Sequence, residues 1–168
     1  THYIVETESG QQVKAIALIL AMGISRNTLG LSNEKALVGR GVSYCVDCDG
    51  PLFKGEPVVV VGCGSAAVSG ALTMMFYTDK IHLICEKFEV GEHLAENLRE
   101  SDIVVHEGRK VTKINGDETV EVVVLDDGTE LAVSGIFIEL GAKGAIGLAG
   151  GLGVMLDESM KYIGVNKK

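Results

Sequence analysis

The sequence predicts an α/β fold in which strands and helices alternate as βαβαβ. Apolar strand patterns occur at Val58–Val61, 80–85 and 103–106, and helical patterns at 65–77 and 92–100 separate them. Such alternation is typical of a parallel sheet with right-handed crossovers. The chain has 168 residues and is 46% hydrophobic, with 22 Gly and only 2 Pro. This composition favours a packed core over disorder.

The region before this core predicts a hairpin. Residues 2–7 and 12–20 have strand patterns, and Ser9 and Gly10 supply the turn between them. The run 15–21 is apolar throughout. We therefore expect this run to be buried on both faces.

A loop-rich crossover and a short helix follow the hairpin. Residues 22–42 contain Gly23, Gly30, Gly39 and Gly41, which predicts loops. A short helix is predicted to start near 45–49, and Gly50-Pro51 interrupts the pattern soon afterwards.

The region after the core predicts a small antiparallel β insertion. Its strands are expected at 109–115, 119–125 and 130–133, the last two joined by a turn that ends in Gly. A further apolar strand is predicted at 136–140. The remainder is rich in Gly and shows little periodicity until 162–165.

The charge pattern excludes several classes of partner. The formal net charge is −8, and the chain contains no run of Lys or Arg, so we expect neither nucleic acid nor an anionic membrane surface as a partner. No apolar stretch reaches the roughly 18 residues that span a bilayer. The N-terminal residues also lack a signal-peptide pattern. These observations predict a cytoplasmic protein.

A glycine pattern of the nucleotide-binding type follows the first core strand. Gly62-x-Gly64-x-x-Ala67 stands between a strand and a helix. In a Rossmann-like unit, the first Gly permits a tight turn, the second lets the backbone approach a pyrophosphate, and the small third residue permits close packing. Amides at the helix N-terminus then bind the phosphates. The alternative is a tight βα turn without a ligand. The candidate cofactor-binding residues here are Gly62, Gly64, Ser65, Ala66 and Ala67.

The end of the second core strand supplies two further candidate cofactor residues, Glu86 and Lys87. Glu86 lies 22 residues beyond Gly64, and an acidic residue near this spacing hydrogen-bonds the ribose 2′-hydroxyl of NAD. It would repel the 2′-phosphate of NADP, an effect that Lys87 would partly offset. The alternative is a solvated charge at a strand end.

A C-x-x-C pair, Cys45 and Cys48, precedes the glycine pattern. Such a pair is half of a zinc site, a redox pair or a coincidence. Zinc needs two more ligands; Cys63 lies inside the glycine turn and Cys85 ends a strand, so neither is free to serve. The four histidines, which are His2, His82, His93 and His106, show no paired spacing. We expect His82 and His106, which lie in predicted strands, to be ordinary strand residues. We therefore expect no metal site.

Redox chemistry fits the pair better. One thiolate attacks a disulfide and the second thiol resolves the intermediate. A neighbouring acid can protonate the leaving thiolate, and Asp49, directly after Cys48, is the candidate. The alternative for Asp49 is a carboxylate that caps a helix or a turn. The candidate catalytic residues are Cys45, Cys48 and Asp49.

Residues 39–50, GRGVSYCVDCDG, carry a specific resemblance. The chain resembles the low-molecular-weight thioredoxin reductases, FAD-dependent flavoproteins of the pyridine nucleotide–disulfide oxidoreductase group. The resemblance continues through the glycine turn to residue 84 and resumes at 135–141 and 156–163. Upstream, residues 17–23 resemble the family strand that ends in A-T-G, with Met22 in place of Thr.

The resemblance implies a domain arrangement. Residues 24–140 would be an inserted NAD(P)H-binding domain that carries the C-x-x-C, and residues 1–23 and 141–168 would be flanking FAD-domain strands. The family's FAD-binding G-x-G-x-x-G and its later G-D motif are missing from this sequence. We therefore interpret the chain as a central fragment, and expect it to be inactive and to hold no FAD on its own.

The resemblance also implies the chemistry. Electrons would pass from NAD(P)H to FAD, then to the Cys45–Cys48 dithiol, and then to thioredoxin or a similar disulfide protein. Cys48 would face the flavin, Cys45 would attack the partner disulfide, and Asp49 would be the acid or base. The inserted domain would rotate to present nicotinamide and dithiol in turn to one flavin. The full-length protein would be a homodimer.

Departures from the family pattern bear on the electron donor. Ser69 stands where an acidic residue is usual, and 85–91 replace the family's H-R-R-x-x-x-R without its arginines. Residues 141–146 replace G-x-x-P-N-T. Loss of the arginines weakens 2′-phosphate binding, which leaves NADH, a reduced deazaflavin or ferredoxin open as donors. The alternative from a different class is a non-catalytic nucleotide- or zinc-binding module.

Overall fold

The computed structural model describes residues 2–21, 23, 25–143, 150–157 and 164. The chain divides into two compact units, a larger one at Arg26–Ala142 and a smaller one at Thr1–Ser25 with Lys143–Lys168. The boundaries drawn from the sequence, 24–140, differ from the larger unit by two residues at each end. That the two units are parts of nicotinamide and FAD domains stays a prediction.

The described elements follow one another in chain order. They are β1 (Tyr3–Glu6), β2 (Gln12–Ala15), β3 (Ser25–Arg26), β4 (Val42–Ser43), α1 (Val46–Asp49), a 3₁₀ segment (Gly50–Phe53), β5 (Val58–Val61), α2 (Ser65–Met74), β6 (Ile81–Cys85), α3 (Glu92–Arg99), β7 (Val104–Glu107), β8 (Val111–Asn115), β9 (Val122–Leu125), β10 (Glu130–Ala132), β11 (Gly135–Ile138) and β12 (Ala142–Lys143).

The described part of the smaller unit contains the predicted hairpin. β1 and β2 pair antiparallel, with Tyr3 opposite Ala15. The expectation that 15–21 is buried was wrong, because Ile16 and Ile19 are 82% and 90% exposed. β2 ends at Ala15, and both strands are almost entirely exposed, so the hairpin provides no buried layer for this run. The strand pattern at 162–165 lies outside the described residues, apart from Gly164.

The larger unit is built on a five-stranded parallel sheet with the order β4-β11-β5-β6-β7. Every pairing in it is parallel, which confirms the βαβαβ prediction. The residues of β5 and β11 are fully buried. A strand covered on both faces needs apolar side chains on both faces, which explains the unbroken Val58–Val61 run.

Helices cover one face of this sheet. Val58, Val60 and Leu83 pack there with residues of α2, among them Ala71 and Met74. The helix predicted to reach residue 77 ends at Met74, because the chain then tightens into turns in which Tyr77 N–H bonds the Met74 carbonyl at 2.8 Å. α1 ends at Asp49, directly before Gly50-Pro51 as predicted. The chain then continues as a 3₁₀ segment, since Pro is tolerated in a first helical turn.

The antiparallel sheet β10-β9-β8 covers the other face, which confirms the predicted insertion. Val59, Val61 and Ile84 pack there against Val123 and Leu125. The two-residue strands β3 and β12 pair with each other. None of the helices in the described part of the chain is long and apolar enough to cross a membrane.

Candidate redox and nucleotide site

The C-x-x-C pair is a closed disulfide at the start of α1. Cys45 and Cys48 are joined through their sulfurs, because a spacing of three places the two side chains on one face of a helical turn. The Cys45 sulfur also accepts a hydrogen bond from the Cys48 amide at 3.2 Å. Cys45 is half-buried, whereas Cys48 is exposed. The two cysteines therefore differ in their exposure to solvent.

Ser43 positions the carboxylate that follows the disulfide. Its hydroxyl donates to Asp49 Oδ2 at 2.6 Å and accepts from the Cys45 amide at 3.1 Å. Ser43 is only 4% exposed, so this hydroxyl is fixed in the interior. Sequence reasoning missed Ser43; its only signal was its place two residues before Cys45. Asp49 is thus a structured carboxylate beside the disulfide, an arrangement compatible with both of its interpretations.

A cavity of about 270 Å³, here named the dithiol cleft, lies next to the disulfide. It contains Glu139, which sequence reasoning did not single out. Burial raises the pKa of the Glu139 carboxyl, while the Val46 amide and the Arg26 charge oppose this effect. The only signal for it in the sequence was a Glu directly after the apolar run of β11. The cleft is lined by Arg26, Cys45, Val46, Asp47, Ala66, Ser69, Gly70, Thr73 and Glu139.

The two glycines of the turn have different roles. Gly62 has φ +151°, and a Cβ there would lie 2.3 Å from the Glu139 carbonyl oxygen. Gly64 caps α2 with extended backbone, and a Cβ there would meet nothing within 4 Å. Gly62 is therefore required by the packing of the sheet, whereas Gly64 leaves open space at the helix N-terminus.

A second cavity of about 250 Å³, here named the nucleotide cleft, lies at the same turn. Ser65 and Ala66 are exposed in the first turn of α2, and Ala67 is buried beneath it. Of the predicted cofactor-binding residues, only Gly62 and Glu86 line this cleft. Gly64, Ser65, Ala66, Ala67 and Lys87 do not line it, and Ala66 lines the dithiol cleft instead. The nucleotide cleft is lined by Thr28, Leu29, Val61, Gly62, Cys63, Ile84, Cys85, Glu86, Arg109, Lys110, Val111 and Leu140.

Glu86 lines this cleft and carries an ion pair. Lys110 Nζ lies 2.8 Å from Glu86 Oε2, and this contact raises the pKa of Lys110. Arg109 Nε lies 3.1 Å from Asp127 Oδ2. Sequence reasoning missed both basic residues. The signal for them in the sequence was two adjacent basic residues shortly after the third core strand. The cleft thus holds basic charge that the missing arginines at 85–91 had suggested was absent.

Two histidines of neighbouring strands contact each other. His82 Nδ1 lies 3.0 Å from His106 Nε2, a contact that their separation in sequence did not reveal. Burial lowers the pKa of both imidazoles, and for His82 the charge of His106 adds to the effect. Within the part of the chain that the structure describes, no cluster of three His, Cys, Asp or Glu could hold a metal ion.

Comparison with known proteins places this geometry in a family. The family model "Pyridine nucleotide-disulphide oxidoreductase" matches residues 2–168. A thioredoxin reductase from Vibrio cholerae is 36% identical over 148 residues, covering 80% of this chain and 46% of that protein. The chain therefore spans about half the length of the curated relatives it matches.

Two solved structures show the same architecture. An atypical thioredoxin reductase from Desulfovibrio vulgaris aligns with a TM-score of 0.65 and 32% identity, over 99% of this chain and 55% of that one. A ferredoxin-flavin thioredoxin reductase from Clostridium acetobutylicum aligns with a TM-score of 0.57 and 26% identity, over 99% and 54%. With a parallel sheet, a glycine turn and a C-x-x-C disulfide in place, and with the family model matching residues 2–168, the chain belongs to the pyridine nucleotide-disulphide oxidoreductase family.

Proposed function

We propose that this chain is the redox-active part of a flavoprotein that reduces thioredoxin or a similar disulfide protein. The observation that carries the proposal is the Cys45–Cys48 disulfide, closed in one helical turn with Asp49 held beside it. The thioredoxin reductases among its relatives support the substrate class. Because the chain spans half of such proteins, the proposal concerns the longer polypeptide in which this segment works.

The exchange chemistry follows from the dithiol. Two electrons and two protons convert the disulfide into the thiols of Cys45 and Cys48. The Cys45 thiolate attacks one sulfur of the partner disulfide and expels the other as a thiolate, which takes up a proton. Cys48 then attacks the mixed disulfide, so the Cys45–Cys48 bond re-forms and the partner gains two electrons. Asp49 is the group that exchanges protons with these thiols.

The unequal exposure of the two cysteines bears on their roles. Cys48 is exposed, whereas Cys45, the proposed nucleophile, is half-buried in the dithiol cleft. A partner disulfide must approach in line with the attacking sulfur, so Cys45 has to become more accessible once the disulfide opens. We propose that rotation of the dithiol-bearing unit provides this access, as the resemblance implies.

We propose that a nicotinamide dinucleotide binds at the glycine turn and the nucleotide cleft. The open space at Gly64 and the exposed first turn of α2, which lie outside the cleft lining, suit a pyrophosphate, and Glu86 in the cleft is the proposed partner of a ribose hydroxyl. When bound, the nicotinamide would supply a hydride. FAD is proposed for the longer protein, and we assign no described residue of this chain to it.

The charges of the cleft favour NADH over NADPH in this proposal. The Glu86 carboxylate would repel a 2′-phosphate, and the nearest lysine, Lys110, is already engaged by that carboxylate. Ferredoxin is the second candidate donor, and the likeness to the ferredoxin-flavin thioredoxin reductase of Clostridium acetobutylicum favours it. Titrating NADH, NADPH and reduced ferredoxin against the complete protein, with flavin absorbance as the readout, separates these donors.

Thioredoxin-coupled reduction of insulin tests the function in the complete protein. We expect turnover in the unmodified protein, and we expect Cys45→Ser to abolish turnover while the flavin is still reduced. Turnover retained in Cys45→Ser would contradict the role of Cys45. Stoichiometric zinc, together with thiols that do not react with a chromogenic disulfide, would instead support a non-catalytic metal-binding module.

A further inference from the structure

We propose that Cys63 and Cys85 form a second oxidisable thiol pair, which a peroxide converts into a disulfide that closes the nucleotide cleft. Both cysteines are free thiols, and both line this cleft. Neither has a role in the dithiol chemistry of Cys45 and Cys48. The oxidation itself does not depend on the proposed function; only its effect on nucleotide binding rests on that proposal.

The glycine turn brings the two thiols together. β5 and β6 are parallel neighbours, with Val61 opposite Ile84, and the Gly62 amide bonds the Ile84 carbonyl at 3.0 Å. Gly62 then turns the chain with a positive φ, and the Cys63 sulfur lies 3.2 Å from the amide nitrogen of Glu86, the residue bonded to Cys85. The Cys63 sulfur is therefore within reach of the Cys85 side chain.

The hydrogen bonds around the pair assign different roles to the two sulfurs. The Cys63 sulfur accepts from the Glu86 amide at 3.2 Å. Burial, followed by the contact with Cys63, raises the pKa of the Cys85 thiol to about 12. Cys85 is 2% exposed, whereas Cys63 is half-buried in the cleft. Cys63 is therefore the sulfur that meets an oxidant, and Cys85 is the thiol that resolves it.

The oxidation balances with hydrogen peroxide as the oxidant. The Cys63 sulfur attacks one peroxide oxygen, the O–O bond breaks, and a sulfenic acid and one water form. The Cys85 sulfur then attacks the Cys63 sulfur, the S–OH bond breaks, and a second water leaves with the Cys85 proton. Two thiols lose two electrons in total, and one peroxide is reduced to two waters.

The disulfide would act directly on the nucleotide cleft. Bonding to Cys85 draws the Cys63 sulfur away from the Glu86 amide and fixes it between the glycine turn and β6. The turn is held in place, because Gly62 lies close to the Glu139 carbonyl. The disulfide therefore alters the lining of the cleft beside Glu86, where the ribose is proposed to bind, and nucleotide affinity falls.

Peptide mass spectrometry of the full chain tests the pair. In a Cys45→Ser/Cys48→Ser background, the reduced chain is treated with hydrogen peroxide, alkylated with iodoacetamide and digested without reductant. We expect a cross-linked peptide joining residues 63 and 85, which dithiothreitol releases. Cys85→Ser should instead trap a sulfenic acid at Cys63 that dimedone labels, and Cys63→Ser should leave Cys85 alkylated.

Two outcomes would overturn the thiol pair. One is that both cysteines remain fully alkylated at a peroxide dose that oxidises an equal concentration of N-acetylcysteine. The other is that Cys63 proceeds to a sulfinic acid while Cys85 remains a thiol. The cross-link is read in the Cys45→Ser/Cys48→Ser chain with residues 63 and 85 intact, so a folding defect in Cys85→Ser leaves the test decisive.

NADH fluorescence then tests the closing of the cleft. We expect oxidation of the same chain to lower NADH affinity at least tenfold and dithiothreitol to restore it. A disulfide that forms without changing the affinity would overturn the closing of the cleft. If the reduced chain binds neither NADH nor NADPH, the proposed nucleotide binding fails and the closing of the cleft fails with it, whereas the peptide result still decides the thiol pair.

Discussion

The hydroxyl of Ser43 donates a hydrogen bond to the carboxylate of Asp49 at 2.6 Å. The same hydroxyl accepts from the Cys45 amide, so one buried side chain ties the candidate proton donor to the candidate nucleophile. Asp49 follows Cys48 directly in the chain. The position of its carboxylate therefore depends on a residue that lies before the disulfide.

We predict that Ser43→Ala slows reduction of the disulfide substrate in the complete protein by about tenfold or more. A hydrogen bond to a charged group contributes about 1.5–3 kcal/mol, and its loss frees Asp49 to rotate. The assay is kcat with thioredoxin and insulin. Ser134→Ala is a matched control, because Ser134 donates a similar bond of 2.8 Å to Glu56, a contact outside the candidate site. Equal effects of the two substitutions would contradict a positioning role for Ser43.

A second prediction separates the two glycines of the turn. Gly62→Ala should destabilise the fold by about 3 kcal/mol or more, because the Cβ would overlap the Glu139 carbonyl at a strained φ. Gly64→Ala should change the stability by less than about 1 kcal/mol but weaken nucleotide binding, since the Cβ occupies the approach of the pyrophosphate. Urea unfolding and NADH titration measure the two effects. Unchanged binding in Gly64→Ala would contradict the nucleotide role.

The donor preference should respond to the ion pair between Glu86 and Lys110. We predict that Glu86→Gln raises the affinity for NADPH relative to NADH by about tenfold, because it removes the repelling carboxylate and frees Lys110 for the phosphate. Lys110→Gln should shift the preference towards NADH. Lys113→Gln, an exposed lysine on β8, is the control. A preference that stays the same in all three variants would exclude the ion pair as a determinant.

The larger unit contains the features that could be predicted from the sequence. The disulfide, the glycine turn and the core strands are local features, because each depends on residues a few positions apart. The helix periodicity of 65–77 was also sufficient to locate α2, although turns beyond Met74 shorten it. Local hydrogen-bond geometry and apolar periodicity were therefore sufficient to predict most strands and helices of the larger unit.

The residues that sequence reasoning missed come from distant parts of the chain. Glu139 reaches the dithiol cleft from the position directly after β11, and Lys110 reaches Glu86 from the segment after β7. Such contacts depend on strand order, which a single sequence does not determine. The burial expected for Ile16 and Ile19 failed for a related reason, since apolar character predicts burial only where a packing layer exists.

The histidine pair predicts a loss of stability in mild acid. The pKa values of His82 and His106 are lowered in the fold, so the folded chain resists protonation while the unfolded chain takes up protons below about pH 6.5. Stability should therefore fall as the pH drops through this range. Arg109 adds to the lowering at His106, and Asp127 opposes it.

His106→Asn should flatten this dependence. The measurement is the urea midpoint at several pH values between about 5 and 8, and the exposed His93→Asn on α3 is the control. If His106→Asn keeps the slope of the unmodified chain, the histidine pair is not the source of the acid sensitivity.

Glu139 should produce a pH dependence of the opposite sign. Its carboxyl has a raised pKa in the fold, so the folded chain holds this proton more tightly than the unfolded chain. The associated stability is present below the ordinary carboxyl pKa and is lost as the pH rises through the folded value. Glu139→Gln cannot ionise, so its stability relative to the unmodified chain should increase from pH 4 to pH 7. Urea midpoints measure this, with the exposed Glu130→Gln on β10 as the control. A difference that does not vary with pH would mean that the Glu139 charge is fully solvated, and the dithiol cleft would then be open to water around that carboxylate.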